Sequence, residues 1–188
     1  MDAGWSEAWK NFHRPLRVGE LWVGPPWEKP DEGSVPVVID PGRAFGTGAH
    51  PTTRLCLEHL LGHPRVPLLD VGSGSGVLSI AAAKLGYSPV VALDLDEAAV
   101  EATRANAKAN GVELEVRLAD VFIDPLPSAV LVLANIALAP VEQLASRIES
   151  HELIGSGYLV SEQPELPGWK RVERREVQGW AADRFLRR

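Results

Sequence analysis

The sequence contains a single cysteine, Cys56, among its 188 residues. One thiol cannot form a disulfide within the chain, and no second thiol is present to build a thiolate metal site. The composition therefore predicts a protein of a reducing compartment that has neither a disulfide nor a metal centre.

Long apolar runs and a signal peptide are absent as well. The opening segment, MDAGWSEAWKNFHRP, lacks the apolar stretch and the small-residue cleavage site of a signal peptide. No apolar run approaches the roughly 20 residues that a membrane-spanning helix needs. We therefore expect a soluble, cytoplasmic protein.

The sequence also lacks a run of basic residues. It has 19 Lys and Arg against 25 Asp and Glu, which gives a formal net charge of −6. Binding to duplex nucleic acid needs a basic patch or stripe, so we expect no stable nucleic-acid binding. An acidic surface favours basic partners, although solubility explains the charge at least as well.

Length and apolar content bound the organisation of the chain. With 188 residues, 45% of them hydrophobic, it is long enough for one ordinary core and too short for two full-sized domains. We interpret residues 1–36, which are rich in Trp, Pro and Gly, as an arm and linker that precede a main domain at residues 37–188. A short helix in the arm would place Trp5, Trp9 and Phe12 on one face, which we expect to pack on the main domain.

Short apolar runs alternate with helical segments along the main domain. The runs VPLLDV, PVVALDL, LEVRLAD and AVLVLANI predict strands, and helices are expected near residues 76–86, 96–109 and 139–150. The strands show little polar alternation, as strands covered on both faces require. This pattern predicts a doubly wound α/β domain with a mostly parallel sheet.

Two further segments complete the predicted fold. TTRLCLEHLLGH predicts a helix capped by Thr52 or Thr53. Near the end of the chain, WKRVERREV and WAADRFLRR flank Gln178-Gly179 and predict an antiparallel hairpin.

Three alternate glycines follow the first strand of the main domain. In LLDVGSGSGVLSIAAAKLG the strand ends near Asp70. Gly72 permits a tight turn, Gly74 lets a ligand approach the backbone, and Gly76 lets the next helix start close to the sheet. A simple tight turn and the dinucleotide-binding fingerprint are competing interpretations of such a loop.

Acidic residues at the ends of the next strands help to decide between these interpretations of the glycine loop. Asp94 ends the second strand, where a carboxylate can bind the ribose of an adenosine-bearing cofactor, and we expect Asp96 to cap the following helix. Asp120 ends the third strand and either accepts a hydrogen bond from an adenine amine or serves only as a turn residue. Leu95 or Phe122 could supply an apolar wall for the adenine ring.

The spacing GSGSG and the absence of a phosphate-binding lysine disfavour a nucleoside triphosphate. S-adenosylmethionine carries no phosphate, and it needs only backbone proximity, a ribose carboxylate and an adenine slot. The loop and its acidic neighbours therefore favour S-adenosylmethionine as the cofactor.

AVLVLANIALAP places Asn135 at the carboxyl end of the fourth strand, where ligands bind in open α/β sheets. Its side chain could orient an amine toward a methyl donor, or it could be a satisfied turn residue; its position behind a cofactor motif favours the first interpretation. Glu162, near the end of the fifth strand, is a weak candidate for a general base.

Four segments carry a resemblance to one family. PGRAFGTGAHPTT, LLDVGSGSGVLSIAAAKLG, ALDLDEAAVEATRANAKANGV and ANIALAP resemble the lysine methyltransferases that modify large-subunit ribosomal protein eleven. The similarity covers most of the chain, including the arm. It implies the class I methyltransferase fold, a Rossmann-like, mostly parallel seven-stranded sheet with a C-terminal antiparallel hairpin. It also implies methyl transfer from S-adenosylmethionine to Lys or N-terminal amines of a protein.

The resemblance further implies the residues of the site. The AFGTG loop covers the cofactor in that family, Asp94 matches its ribose-binding acid, and Asn135 matches its active-site Asn, which we take as catalytic. His50 lies beside the loop and either belongs to the site or caps the following helix. The expected cofactor-binding residues are Phe45, Gly46, Thr47, Asp70, Gly72, Gly74, Gly76, Asp94, Leu95, Asp120 and Asn135.

The resemblance supports the reaction type better than the substrate. Family members usually carry an N-terminal recognition domain, and this sequence begins at about the linker, so we expect the chain alone to methylate the ribosomal protein poorly. The alternatives are a methyltransferase of a small molecule or a nucleic-acid base, and a non-catalytic cofactor-binding module. Asn135 is followed by Ile136 and Ala137 rather than by the N-P-P-[YF] signature that stacks a flipped base, which disfavours a base as substrate.

Overall fold

The computed structural model describes residues 14–41 and 50–188. The expected aromatic face of Trp5, Trp9 and Phe12 lies outside the described residues. Within the described ranges, no helix has the length and apolar character needed to cross a membrane.

A small sheet opens the described chain. Within residues 14–41 its strands are β1 (Leu16–Val18), β2 (Leu21–Gly24) and β3 (Val35–Val38). β1 is antiparallel to β2, and β2 is parallel to β3. Leu21 and Val37 are buried in the same core as residues of the main sheet. The proposed boundary between residues 36 and 37 therefore passes through β3, and the small sheet packs on the main domain.

A larger sheet forms the centre of the molecule. Within residues 50–188 its seven strands are β4 (Leu68–Val71), β5 (Val90–Asp94), β6 (Glu115–Leu118), β7 (Leu131–Asn135), β8 (Glu152–Leu159), β9 (Trp169–Val177) and β10 (Trp180–Arg187). They lie in the order β6-β5-β4-β7-β8-β10-β9. The pairs from β6 to β8 are parallel, and β10 is antiparallel to both β8 and β9. The predicted fold, including the hairpin at Gln178-Gly179, is confirmed.

Helices cover both faces of this sheet. They are α1 (Pro51–Leu61), α2 (Val77–Lys84), α3 (Glu97–Ala109) and α4 (Leu138–Ala145). Leu60 of α1 and Ile80 of α2 pack with Leu131 of the sheet on one face. Leu144 of α4 packs with Val132 on the other face. The chain therefore winds to both sides of the sheet, as the alternating pattern predicts.

Two helix boundaries differ from the prediction. The N-cap of α1 is His50, so the prediction of Thr52 or Thr53 is wrong. Pro51 explains the earlier start, because its fixed φ suits the first helical position. α4 ends at Ala145 rather than near residue 150, because Arg187 donates hydrogen bonds to the carbonyls of the residues that follow.

The strand β6 also differs from expectation. It lies at the edge of the sheet, and most of its side chains are exposed rather than covered. Glu115 and Arg117 form an ion pair on its surface. Charged side chains on an edge strand oppose pairing with another chain.

Candidate active site

The strand order reverses direction between β4 and β7, which produces a crevice at the carboxyl ends of these strands. In register, Val71 of β4 lies between Leu93 of β5 and Ala134 of β7. The glycine loop directly follows Val71. Asp94 directly follows Leu93, and Asn135 directly follows Ala134. The topology therefore brings the residues predicted from separate motifs to one edge of the sheet.

The glycine loop has a backbone that requires glycine. Gly72, Gly74 and Gly76 have φ values of 74°, 55° and 81°, in the left-handed region. A Cβ atom at Gly72 would lie 2.6 Å from Cγ2 of Ile136, the residue after Asn135. The loop thus packs closely against the turn that carries the predicted catalytic residue.

Side chains of α3 hold this loop in place. Thr103 Oγ1 donates to the Gly74 carbonyl at 3.0 Å, and Asn106 Nδ2 donates to the Ser75 carbonyl at 2.9 Å. Thr103 and Asn106 are buried. The sequence analysis missed both residues. Their spacing of three on an amphipathic helix puts them on one face with Asn110, and a polar stripe on the inner face of a helix is the signal that could have identified them.

The same helix fixes the end of β3. Asn106 Oδ1 accepts a hydrogen bond from Asp40 N at 3.1 Å, and Asn110 Oδ1 accepts one from Val38 N at 2.9 Å. Asn110 Nδ2 donates to the Val38 carbonyl at 2.6 Å. Since Asn106 also contacts the glycine loop, one side chain joins this loop to the strand that precedes the AFGTG segment.

The predicted cofactor contacts Phe45, Gly46 and Thr47 lie outside the described residues. The described chain resumes at His50, whose Nδ1 accepts a hydrogen bond from Thr52 N at 3.3 Å. Its ring contacts Trp180 edge to face, with centroids 4.7 Å apart. Burial lowers the pKa of His50, which favours the neutral imidazole that this cap requires.

Asp94 is fixed beside the glycine loop. Its Oδ2 accepts a hydrogen bond from Gly74 N at 2.9 Å, and its Oδ1 accepts one from Asp96 N at 3.0 Å. The side chain of Asp96 accepts a hydrogen bond from Ala98 N and caps α3, as predicted. The two neighbouring carboxylates therefore have different surroundings, and only that of Asp94 contacts the loop.

The Asp70 carboxylate is internal. The residue is 1% exposed, and its Oδ2 accepts a hydrogen bond from the Ser79 hydroxyl. Burial, with a smaller contribution from the negative charge of Asp94, raises the pKa of Asp70 to about 6. This geometry suits a residue that supports the start of the glycine loop from inside the protein.

Asp120 forms a turn, which was one of the two predicted roles of this residue. Its Oδ1 accepts a hydrogen bond from Phe122 N at 2.9 Å, and its backbone N donates to Asp124 Oδ2 at 2.8 Å. Oδ2 of Asp120 has no protein partner in the described part of the chain. Leu95 is 71% exposed at the end of β5, whereas Phe122 is half-buried against the core.

Asn135 ends β7 with a free side chain. It is half-buried, and its amide has no hydrogen-bond partner among residues 14–41 and 50–188. The turn after it approaches β8 closely, with Ile136 N donating to the Ser156 carbonyl at 3.1 Å. Gly157 permits this approach, because a Cβ atom there would lie 1.4 Å from the Ile136 carbonyl oxygen. The sequence analysis missed Gly157, although an isolated glycine in a strand often marks such a contact.

The carboxylate of Glu162 is already engaged. Its Oε2 accepts a hydrogen bond from Leu159 N at 2.6 Å and closes the turn after β8. Arg174 holds the same turn by donating to the carbonyls of Val160 and Glu162 at 2.9 and 3.1 Å. These contacts give Glu162 a structural role and weaken its candidacy as a base.

The crevice suits a ligand with a ribose and without phosphate. A fixed carboxylate, Asp94, lies next to an accessible loop, and the turns GSGSG and Leu95-Asp96 contain no cation. An anionic group beside these turns would therefore meet the negative charge of Asp94, and the two turns themselves supply no Lys or Arg to compensate it. The described parts of the chain contain no cluster of three or more His, Cys, Asp or Glu residues that could hold a metal ion.

The strand order, the hairpin and the position of the crevice define the architecture of class I methyltransferases. The chain belongs to one family of that class: the family model described as ribosomal protein L11 methyltransferase (PrmA) matches residues 1–182. The resemblance seen in the motifs is thereby confirmed.

Individual relatives agree with this assignment. The chain is 46% identical over 162 residues to a ribosomal protein L11 methyltransferase from Symbiobacterium thermophilum, covering 84% of this chain. A crystal structure of the ribosomal protein L11 methylase from Lactobacillus delbrueckii subsp. bulgaricus superposes with a TM-score of 0.80 at 28% identity, covering 93% of this chain and 99% of that one. An RNA methyltransferase from Salinibacter ruber, solved with S-adenosyl-L-homocysteine, has a TM-score of 0.58 at 22% identity and covers 72% of this chain and 92% of its own, which shows the shared fold alone.

The match covers only part of the curated relatives. The chain spans 53% of the length of the Symbiobacterium thermophilum protein. The activity, substrates and partners of the full-length relatives are therefore a matter of proposal for this chain.

Proposed function

We propose that this chain carries the catalytic part of an S-adenosylmethionine-dependent methyltransferase that methylates Lys or N-terminal amines of ribosomal protein L11 or a related protein. One observation carries the proposal: the carboxylate of Asp94 accepts a hydrogen bond from the glycine loop after β4, while the amide of Asn135, at the end of β7 on the other side of β4, has no hydrogen-bond partner among the described residues. Family membership supports the same conclusion.

The crevice residues divide between cofactor and substrate. Asp94 would accept hydrogen bonds from the ribose hydroxyls, because its carboxylate is held at the end of β5. The glycine loop would allow close approach of the cofactor to the backbone. Asp120 would bind the adenine amine through Oδ2, the carboxylate oxygen that does not accept from Phe122 N, and the exposed Leu95 would cover the adenine ring. Phe45, Gly46 and Thr47 would complete the contacts.

S-adenosylmethionine would supply a methyl group that its sulfonium already activates. The protein must then align a neutral amine with that methyl, and alignment can contribute much of the rate. The carboxamide oxygen of Asn135 would accept a hydrogen bond from the amine and direct its lone pair. A free lysine amine has a pKa of about 10.4, and removal from water lowers this value. The Asp70 carboxylate is buried, so it cannot serve as an accessible base.

Calorimetry followed by methyl transfer tests the proposal. The chain should bind S-adenosylmethionine and S-adenosyl-L-homocysteine saturably, and it should transfer labelled methyl groups to purified ribosomal protein L11 detectably but slowly, as expected of a chain that spans 53% of the length of the Symbiobacterium thermophilum relative. A sample of the same protein with its amines blocked by acetylation is the matched control and should take up no label. Saturable binding of a nicotinamide dinucleotide without binding of S-adenosylmethionine would contradict the proposed cofactor. Labelling of RNA or small molecules but not of protein amines in a lysate would contradict the proposed substrate class.

A further inference from the structure

A cavity of about 250 Å³ lies at the edge of the sheet opposite the crevice. Its floor includes Leu69 and Val132, which pair in register near the amino-terminal ends of β4 and β7. Its walls come from the connections that lead into β7 and β8, including Leu126 and Ile148. The cavity therefore lies toward the opposite ends of β4 and β7 from the proposed cofactor site.

The connection between β6 and β7 explains why this space exists. Parallel strands are usually joined through a helix that covers the sheet. Here residues 119–130 form turns and extended chain instead of a helix. Pro125 and Pro127 oppose a helix, because each lacks a backbone N–H and restricts the residue before it. The sheet face at Leu69 and Val132 is consequently covered by a thin connection that leaves room for a ligand.

Two polar groups in the cavity wall lack partners. Arg147 Nη1 and Ser150 Oγ are both buried without a hydrogen-bond partner in the described part of the chain. Ser150 is 3% exposed as a residue. Leaving a buried polar atom unpaired costs about 1–3 kcal/mol, and more when the group is charged. Both groups can donate a hydrogen bond, and both residues line the cavity, so an acceptor that reached these groups from the cavity would satisfy them.

The segment that carries these donors is held rigidly. Arg187 Nε donates to the Ser150 carbonyl at 3.0 Å, and its guanidinium also donates to the Ile148 carbonyl. The same guanidinium lies 4.4 Å from the centroid of the Trp169 ring. Arg147 Nη2 donates to the Asp124 carbonyl at 3.1 Å, which ties the two walls together. A preorganised site loses little free energy to ordering when a ligand binds.

We propose that this cavity binds a small carboxylate with an apolar body. The carboxylate accepts hydrogen bonds from Arg147 Nη1 and Ser150 Oγ, and the apolar body packs on Leu69, Val132 and Ile148. A cavity of roughly 150 Å³ is enough for benzene, so the present volume accommodates one ring together with a carboxylate. The exposed carboxylate of Glu149, which also lines the cavity, disfavours more highly charged anions such as phosphates.

Titration with phenylacetate and its neutral analogue phenylacetamide tests this proposal. Calorimetry and amide NMR shifts on the full 188-residue chain should show saturable binding of phenylacetate at the cavity residues. Phenylacetamide should bind at least about tenfold more weakly, the scale expected for losing hydrogen bonds to a charged group.

Two Arg→Gln variants distinguish the loss of a contact in the cavity from the general effect of removing a positive charge. Arg147→Gln should weaken phenylacetate binding about tenfold or more. Arg104→Gln is the matched control, since Arg104 Nη2 also donates to a backbone carbonyl, that of Val116 at 2.8 Å, but lies away from the cavity. It should bind phenylacetate as the unmodified chain does.

A further variant keeps the test decisive if Arg147→Gln does not fold. Ala129→Leu fills the cavity from its wall without removing a polar group, and it should abolish phenylacetate binding while the circular dichroism spectrum stays unchanged. Equal affinity for phenylacetate and phenylacetamide, unchanged binding by folded Arg147→Gln or Ala129→Leu, or no saturable binding of either compound would overturn the proposal.

Discussion

Asp94 combines a structural and a proposed binding role in one side chain. It holds the glycine loop through Gly74 N, and its remaining lone pairs are available to ribose hydroxyls. We expect Asp94→Ala to weaken S-adenosylmethionine binding by about 1.5–3 kcal/mol, the scale for hydrogen bonds to a charged group. Calorimetric titration measures this loss.

Asp96→Ala is the matched control for that measurement. Its carboxylate caps α3 through Ala98 N, so the variant should lose about 1 kcal/mol of stability while keeping most of its cofactor affinity. If Asp96→Ala loses affinity and Asp94→Ala does not, the ribose-binding role belongs to Asp96.

Asn135 is proposed to contact the amine rather than the cofactor, and an amide without a hydrogen-bond partner among the described residues suits that role. Asn135→Ala should leave S-adenosylmethionine affinity nearly unchanged and lower methyl transfer about 100-fold, the effect of losing one oriented polar group in an active site. Single-turnover transfer of labelled methyl groups and calorimetry measure the two quantities separately. Gln143→Ala, which removes an exposed carboxamide from α4, is the control and should change neither. An equal loss of binding and turnover in Asn135→Ala would assign the residue a structural role.

At the level of strands and turns, the position of Asn135 depends on β8. Gly157 has a φ of 100°, and a Cβ atom there would meet the Ile136 carbonyl oxygen. Gly157→Ala should therefore lower the free energy of unfolding by roughly 3–5 kcal/mol, since backbone strain and a steric clash add. Urea unfolding followed by circular dichroism measures the change.

Gly168→Ala provides the control for backbone strain alone. Gly168 has a φ of 82°, and its Cβ position has no neighbour within 4 Å among the described residues. Its substitution should cost about 1–2 kcal/mol. Equal costs at the two glycines would show that the turn after Asn135 relaxes away from β8.

The elements that were predictable depend on local signals, and those that were not depend on distant partners. Apolar runs predicted the parallel strands, and Gln178-Gly179 predicted the hairpin because a two-residue turn is encoded locally. The early end of α4 was not predictable, since its partners come from the other end of the domain: Trp169 Nε1 donates to the Ala145 carbonyl at 3.0 Å, and Arg187 donates to carbonyls of the residues that follow. The cap of α1 was predicted wrongly because histidine is an unusual N-cap, and the signal for the earlier start is Pro51 at the beginning of the helix.

The same distinction applies to the candidate site. Asp94 and Asn135 were identified because each ends a strand, and topology alone brings strand ends together. Helical periodicity puts Thr103 and Asn106 on one inner face of α3, but it does not reveal that they donate hydrogen bonds to glycine-loop carbonyls about 30 positions away. The internal position of Asp70 also follows from packing, because a strand-end carboxylate can point either into the crevice or into the core.

For the molecule as a whole, the buried carboxylate of Asp70 makes stability depend on pH. Burial raises its pKa from the ordinary 3.8 to about 6 in the folded protein. The folded state therefore binds more protons than the unfolded state between these values, and stability falls as pH rises from about 4 to about 6. Asp183 is also buried, and burial raises its pKa. Its contribution to the pH dependence of stability cancels when two chains that both contain Asp183 are compared.

Asp70→Asn should remove the Asp70 contribution, because an amide oxygen still accepts the Ser79 hydrogen bond but carries no charge. Relative to the unmodified chain, the variant should gain about 2 kcal/mol in free energy of unfolding between pH 4 and pH 7, as the shift of about two pKa units requires. Urea unfolding at both pH values measures this difference, and the exposed Glu113→Gln serves as the background. A constant difference between Asp70→Asn and the unmodified chain at the two pH values would mean that the carboxylate ionises in the folded protein without penalty. Its burial beside Asp94 would then have to be compensated by polar contacts that the Ser79 hydroxyl alone does not provide.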